Sequence, residues 1–291
     1  MFSKNIGEKL SIDETSLSNG ELYTIVTNKH AKGKKGAVVA IVEGIKSADV
    51  TKVLSKIPLE ERKKVKEVTL DMSNSMDAII RCSFPSAKIV TDRFHVQQLV
   101  SEAVQEIRMT HRRKAIKEEN ETIKKIQEKN KKRDSDKKKK EFYKPKIYQN
   151  GDTKKQLLAR SRYLLFKPQG QWYEQQKIRS EILFKEFPEL KRAYELSMMF
   201  RLVYQNCNTV KEAKEKLNKW YEKVEEKNIE SFLLPAETIS LHETTILNYF
   251  TNRSTNASAE SFNAKLKGFR SLVRGVRDKK FFLFRIAKLY A

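Results

Sequence analysis

The sequence predicts an α/β protein: a mixed sheet with an all-helical segment set in before the last helices. Three observations carry this. Strands alternate with short helices in the first part of the chain, up to about Asn120, the periods become helical from His95 onward, and the final stretch is helical again with a carboxylate leading its polar face. The chain's 291 residues are enough for one large domain, or one domain carrying a sizeable insertion.

The first run, "LSIDETSL" (Leu10 to Leu17), reads as a strand with Leu10 and Ile12 on one side and Ser11, Asp13 and Thr15 on the other. The turn Ser18-Asn19-Gly20, the strand "LYTIVTN", the basic turn "KGKKG" and the strand "AVVAIVEG" complete an antiparallel meander of three strands. A helix over Asp49 to Ile57 leads through "PLEERKKV" to the strand "VKEVTLDMS". A second, Met76 to Cys82, leads to "AKIVTDRFHV". Strands that each follow a helix are expected as parallel additions to the meander.

Beyond His95, the residues Val96, Leu99, Val100, Ala103, Val104 and Ile107 form one stripe of a long amphipathic helix. The basic run Lys124 to Lys146 reads as a solvated helix end or a mobile loop that can still touch phosphates, because blocks of like charge rarely pack. Further helices are expected at "KKQLLARSRYLLF", "WYEQQKIRSEILFKEF", "ELKRAYELSMMFRLVYQN" and "VKEAKEKLNKWYEKVEE", with Pro235 near the last boundary. In the final segment, broken near Gly275, Ala259, Phe262, Leu266 and Phe269 take core spacing while Glu260, Asn263, Lys267 and Arg270 share a polar face.

Charge narrows the function. Sixty Lys plus Arg against 37 Asp plus Glu give a net charge of +23, the balance of a protein that works against a polyanion, with nucleic acid the leading partner. No apolar run is long enough to span a membrane and no signal-peptide pattern follows Met1, so a cytoplasmic, nucleoid-associated protein with no membrane partner is expected. Cys82 and Cys207 form no CxxC pair, which supports neither a disulfide framework nor a zinc site.

Against that basic background the acids stand out. With the first strand central and "VKEVTLD" beside it, Asp13 and Asp71 become neighbours, and neighbouring carboxylates must share a proton or a cation. Oxygen ligands suit Mg2+ or Mn2+, and a third carboxylate on a helix crossing the same edge, with Glu260 the candidate, would complete a site for two ions that clamp a phosphodiester.

These residues carry a resemblance. The order of meander, Asp13, Asp71, long helical interruption and helical Glu260 resembles the ribonuclease-H-like catalytic domain of DDE transposases. The stretches "VTLDMSNSM", "PSAKIVTDRFHVQQLVSEAVQEIR", "LKRAYELSMMFRLV" and "AESFNAKLKGFRSLVRGVRD" resemble the bacterial insertion-sequence transposases of the ISL-three group and its ISAon-type relatives. The resemblance implies Asp13, Asp71 and Glu260 as a catalytic, metal-binding triad. It implies a ribonuclease-H-like core over residues 1–119 and 252–291, and a helical insertion over 120–251. Asp92 and His95 match an Asp-x-x-His pattern found in several such enzymes. Asp92 rivals Asp71 for the second metal position, and a His that begins a helix also reads as a capping or packing residue. The implied activity is metal-dependent DNA strand cleavage and transfer between element ends and target DNA by a homo-oligomer, with Lys265, Lys267, Arg270, Arg274 and Arg277 on phosphates. Two other readings stay open: a nuclease that cuts without joining, and an inactive, transposase-derived DNA-binding or assembly protein. Because Asp13 lies so near Met1, end recognition is expected from a separate DNA-binding polypeptide.

Overall fold

The structure, a computed structural model, describes residues 1–17, 20–133, 140–273 and 278–291. These fall into two compact units. The first comprises Met1–Val96, Cys207–Lys214 and Ile239–Ala291, and the second Gln97–Asn206 and Glu215–Thr238.

The first unit is a mixed α/β structure around a five-stranded sheet among the described residues. Strands β1 (Lys9–Ser16), β2 (Leu22–Asn28), β3 (Val38–Glu43), β4 (Glu67–Leu70) and β5 (Lys88–Thr91) are ordered β3-β2-β1-β4-β5. β1 pairs antiparallel with β2, and β2 with β3, which is the expected meander. β4 pairs parallel with β1, and β5 parallel with β4. Helices α1 (Ser47–Leu54) and α2 (Leu59–Lys63) precede β4, and α3 (Asn74–Ser83) precedes β5. Such crossovers are how a parallel neighbour is reached.

Both faces of the sheet are covered, and the period of two in β1 decides what goes where. Leu10 and Ile12 join Val26, Val68, Leu54 and Ile80 in one cluster, beneath α1 and α3. On the opposite face Tyr23, Ile25 and Val38 pack with Phe262 and Leu266 of α12 (Ala257–Leu272) and Phe282 and Ile286 of α13 (Lys279–Tyr290). Each fully buried side chain of this kind contributes about 1.5–3 kcal/mol relative to exposure. The break expected near Gly275 falls between α12 and α13, and Gly275 itself lies outside the described residues.

The helix α4 (Arg93–Arg133) runs well into the basic stretch expected as a helix end or loop, of which residues 134–139 lie outside the description. The second unit is helical. It contains α5 (Lys154–Arg160), α6 (Glu174–Glu186), α7 (Pro188–Asn206) and most of α8 (Val210–Lys227). Trp172 and Trp220 are buried, and their indole N–H groups donate to the carbonyls of Leu164 (2.9 Å) and Leu196 (3.0 Å). Pro235, expected near a boundary, lies inside α9 (Glu230–Leu241). The boundary is set instead by Asn228, whose left-handed backbone (φ 44°) ends α8. α9 tolerates the donor lost at Pro235 because Phe232 and Ile239 are anchored in the interior.

Short helices α10 (Glu243–Leu247) and α11 (Tyr249–Asn252) return the chain to the sheet. Polar ties fasten this segment, among them Thr245 to Thr91 through their hydroxyls (2.7 Å), Asn248 Nδ2 to the Ile89 carbonyl (2.8 Å), Asn252 Nδ2 to Glu67 Oε2 (2.8 Å) and the Asn256 N–H to Asp92 Oδ1 (3.1 Å). Glu67 is almost fully buried and faces Lys29 Nζ at 3.7 Å, while the same ammonium donates to the Thr69 hydroxyl at 2.7 Å.

Removing one member of a buried ion pair leaves an uncompensated charge. Glu67→Ala is therefore expected to cost about 3–5 kcal/mol in urea unfolding, whereas Glu67→Leu combined with Lys29→Met recovers most of that loss. Equal losses in the single and double variants would show that Glu67 acts through Asn252 rather than Lys29.

Candidate metal centre

Strand register builds the centre. The ladder pairs Ser11 with Thr69 and Leu70 with Thr91, and the same parallel register, carried one or two residues further, aligns Asp13, inside β1, with Asp71 and Asp92, which directly follow β4 and β5. Neighbouring strands lie about 4.7–4.9 Å apart, so three acids meet along one sheet edge. Carboxyl ends of parallel strands are where open α/β sheets place their ligand sites.

Asp92 is buried and ends β5 at the entrance of α4. Its N–H donates to the Leu70 carbonyl (2.8 Å) and its Oδ1 accepts the Asn256 N–H. His95, in the first turn of α4, brings Nε2 to 3.1 Å from Asp71 Oδ1. Asp71, Asp92 and His95 each offer one ligand atom, and these atoms all lie within 4.8 Å of one another.

Asp13 is held from two sides. Its Oδ1 accepts the Glu14 N–H (2.8 Å) and its Oδ2 accepts Asn263 Nδ2 (2.6 Å) from α12. Glu260 lies one turn before Asn263 on the same helix, is exposed, and is close enough for its charge to act on both Asp13 and Asp71. Burial pushes the Asp13 carboxyl above its ordinary range, against the pull of its hydrogen bonds and of His95. Burial is also the main reason the Asp71 carboxyl is pushed up to about 6, with the charges of Asp13, Asp92 and Glu260 adding to it and His95 opposing.

Several buried polar atoms here have no hydrogen-bond partner among the described residues: Asp92 Oδ2, Asn263 Oδ1 and both side-chain amide atoms of Asn256, while Asp71 Oδ1 faces only His95 Nε2. An orphaned carboxylate oxygen on Asp92 at the meeting point of like charges fits a hard divalent cation, which takes oxygen ligands. Asp71 and Asp92, rivals in the sequence, stand side by side. Asn256 and Asn263 were not singled out as site residues. For Asn263 a signal existed, its spacing of three from Glu260 on one helical face.

The cations of α12 are placed less uniformly. Lys265 Nζ donates to the Gly33 carbonyl (3.1 Å), the Arg270 guanidinium stacks 4.8 Å over the Phe282 ring, and Lys267 is exposed. Arg274 and Arg277 lie outside the described residues. A separate cavity of about 640 Å³ in the second unit is lined by Glu102, Glu106, Glu189 and Glu230, a surface that repels phosphate. No helix among the described residues is long and apolar enough to cross a membrane.

No curated protein and no solved structure matches the chain at a significant level. A family model described as "Transposase", that of the ISL3 group of DDE transposases, matches residues 10–286. The match begins in the first strand, takes in every acid of the centre and ends in the last helix, and the chain belongs to the ISL3 family of DDE transposases.

Proposed function

We propose that this transposase cleaves a DNA strand at the end of a mobile element and joins the freed 3′-hydroxyl to target DNA, on a ribonuclease-H-like core (residues 1–119 and 252–291) interrupted by a helical insertion (120–251). The observation that supports the reading most is the crowding of carboxylates at one sheet edge, with Asp71 raised to about 6 in a chain of net charge +23. Acids that merely decorated a surface would not be buried beside one another at such a cost.

In this reading Asp13, Asp71 and Glu260 would hold Mg2+ or Mn2+, with Asp92 and His95 as further candidates beside Asp71. When bound, such ions supply Lewis acidity toward phosphodiester oxygens and make water a stronger acid. The chain's own groups orient the reactants. Asn263 fixes the Asp13 carboxylate, the Asn256 N–H fixes Asp92, and His95 stands where it can steady charge on Asp71. In the first step water adds to phosphorus and the bond to the 3′-oxygen breaks. In the second, that 3′-hydroxyl attacks a target phosphodiester and releases another 3′-oxygen. The number of phosphodiesters is conserved in the second step, and neither step needs a covalent link to the protein. Phosphate contacts from exposed cations such as Lys267 hold the strands without reading their sequence.

The test is incubation with a duplex carrying the element's own ends and Mg2+, scoring nicks and joined products. Nicks without joining indicate a nuclease, and binding without nicks indicates a transposase-derived binding protein. Asp71→Asn is expected to lower cleavage on the order of a hundredfold or more while duplex affinity changes by less than about twofold. Asp92→Asn is expected to cost only about tenfold, because an amide oxygen can still accept the Asn256 N–H; the reverse ranking would give Asp92 the second metal position.

A second prediction follows from the raised Asp71 carboxyl. Between about pH 4 and 6 the folded protein holds a proton that the unfolded chain, with an ordinary carboxyl near 3.8, has already released. Stability in EDTA therefore falls as pH rises through that window and stays lower above it. Asp71→Asn is expected to stabilise the protein in EDTA at pH 7 by about 1–2 kcal/mol, a figure discounted because the side chain is about one-third exposed. Mg2+ should raise the melting temperature of wild type more at pH 7 than at pH 5, and should do little for the variant. A variant no more stable than wild type in EDTA at pH 7 would contradict this account.

A further inference from the structure

The last helix buries one face and leaves another with no partner among the described residues. Phe282 and Ile286 of α13 are inside the cluster that α12 and the meander share. On the opposite side Phe281 and Phe284 are 44% and 54% exposed, and Lys280, Arg285 and Lys288 are exposed beside them. The Arg285 guanidinium lies 5.9 Å from the centre of the Phe281 ring, and Lys288 Nζ lies 5.6 Å from that of Phe284. α13 carries no acid. The carboxylates that ion-pair with it, Glu21 and Glu43, both take Lys279 in its first turn.

Large rings are costly to leave in water, and a solvated helix face has no use for two of them interleaved with cations. The combination matches one ligand chemistry well. Unpaired nucleotides present flat π-faces joined by phosphates, and proteins that hold single strands use aromatic rings for the bases and Lys or Arg for the backbone. Side chains three residues apart on a helix stand about 5–6 Å from each other, so neighbouring bases of an extended strand can each meet a ring. A lipid surface would need a continuous apolar stripe, which Arg285 and Lys288 interrupt. Duplex DNA offers phosphates but hides its base faces in the stack.

We propose that the exposed face of α13 binds unpaired nucleotides of a DNA strand, stacking bases on Phe281 and Phe284 and meeting phosphates with Lys280, Arg285 and Lys288. This rests on the reading of the chain as an enzyme that opens DNA strands, and names where an opened strand is held.

The experiment uses the full chain, a single-stranded oligonucleotide containing 2-aminopurine, and a duplex of equal length. Wild type should quench 2-aminopurine fluorescence as the base stacks. Phe281→Ala combined with Phe284→Ala should abolish the quench and weaken single-strand binding by about tenfold or more, with duplex affinity changed by less than about twofold. Arg285→Ala combined with Lys288→Ala should weaken both forms and make the single-strand salt dependence shallower by about 1.4 in log–log slope, two phosphate contacts' worth. Because all four side chains point outward, melting temperatures should be unchanged.

Undiminished single-strand binding by the phenylalanine variant would overturn the proposal while leaving strand cleavage standing, provided wild type still nicks duplex ends. A variant that loses self-association in light scattering, or sedimentation with anionic vesicles, but keeps its single-strand affinity would assign the face to a second copy or to a lipid surface instead. Failure of wild type to bind either form of DNA would overturn both this proposal and the one it rests on.

Discussion

The parallel register of β1, β4 and β5 is the constraint on which the rest of this molecule depends. Side chains in a strand alternate, so a slip of one residue in either pairing would turn Asp13 or Asp71 to the opposite face. Register is pinned by the apolar residues between the acids. Leu10, Ile12, Val68 and Leu70 are all within 1% of full burial on the face beneath α1 and α3. The hydrophobic core therefore does more than stabilise the sheet: it selects the one alignment in which like charges converge. That convergence opposes folding, and the raised carboxyls of Asp13 and Asp71 record it. The donors that offset it are few and specific, namely the Glu14 and Asn256 N–H groups and the Asn263 amide.

Glu260 depends on a different device. It enters from α12, almost 250 residues after Asp13, and its position is inherited from the segment that leads into that helix. Thr245, Asn248, Asn252 and Asn256 tie that segment in turn to Thr91, Ile89, Glu67 and Asp92, along β5 and β4. The last of these ties joins a group of the centre to the residue just before α12, so Asp92 acts on the helix whatever else it does. Closing so long an excursion costs little more than closing a short one, since each doubling of loop length adds only about 0.6 kcal/mol. A helical unit can thus be carried between the strands and α12, provided its exit is fastened, and these hydrogen bonds help to fasten it.

Much of this was legible in the sequence because it depends on local periodicity. The meander, the two parallel additions and the long helix after His95 follow from alternation and helical spacing, and the nearness of Asp13 to Asp71 follows from the order in which such strands must pair. What was not legible depends on partners distant in sequence. Nothing in "NRSTNAS" says that Asn256 will meet Asp92, because the contact spans 164 residues. Helices α10 and α11 are too short to carry a period and exist through their ties to the sheet. Pro235 misled for a related reason: its local rule is to end a helix, and buried neighbours at Phe232 and Ile239 override it. Lys265 and Arg270 illustrate the limit of reading cations as phosphate ligands, since one is spent on the Gly33 carbonyl and the other stacks on Phe282.

Those two engagements bear on how a strongly basic chain can keep an acidic centre. At physiological ionic strength the field of exposed charges fades over about 8 Å, so the net charge of +23 attracts a polyanion from outside but does little to neutralise carboxylates buried at a sheet edge. Local cations could have done so, yet the ammonium of Lys29 is taken by Glu67 and Thr69, and His95 is the basic group in contact with Asp71. The site is thus left short of positive charge while the surface has an excess. Under the proposed function that separation would let the surface gather phosphate while the centre held a divalent ion, and an arginine placed among the acids would have satisfied them in the ion's place.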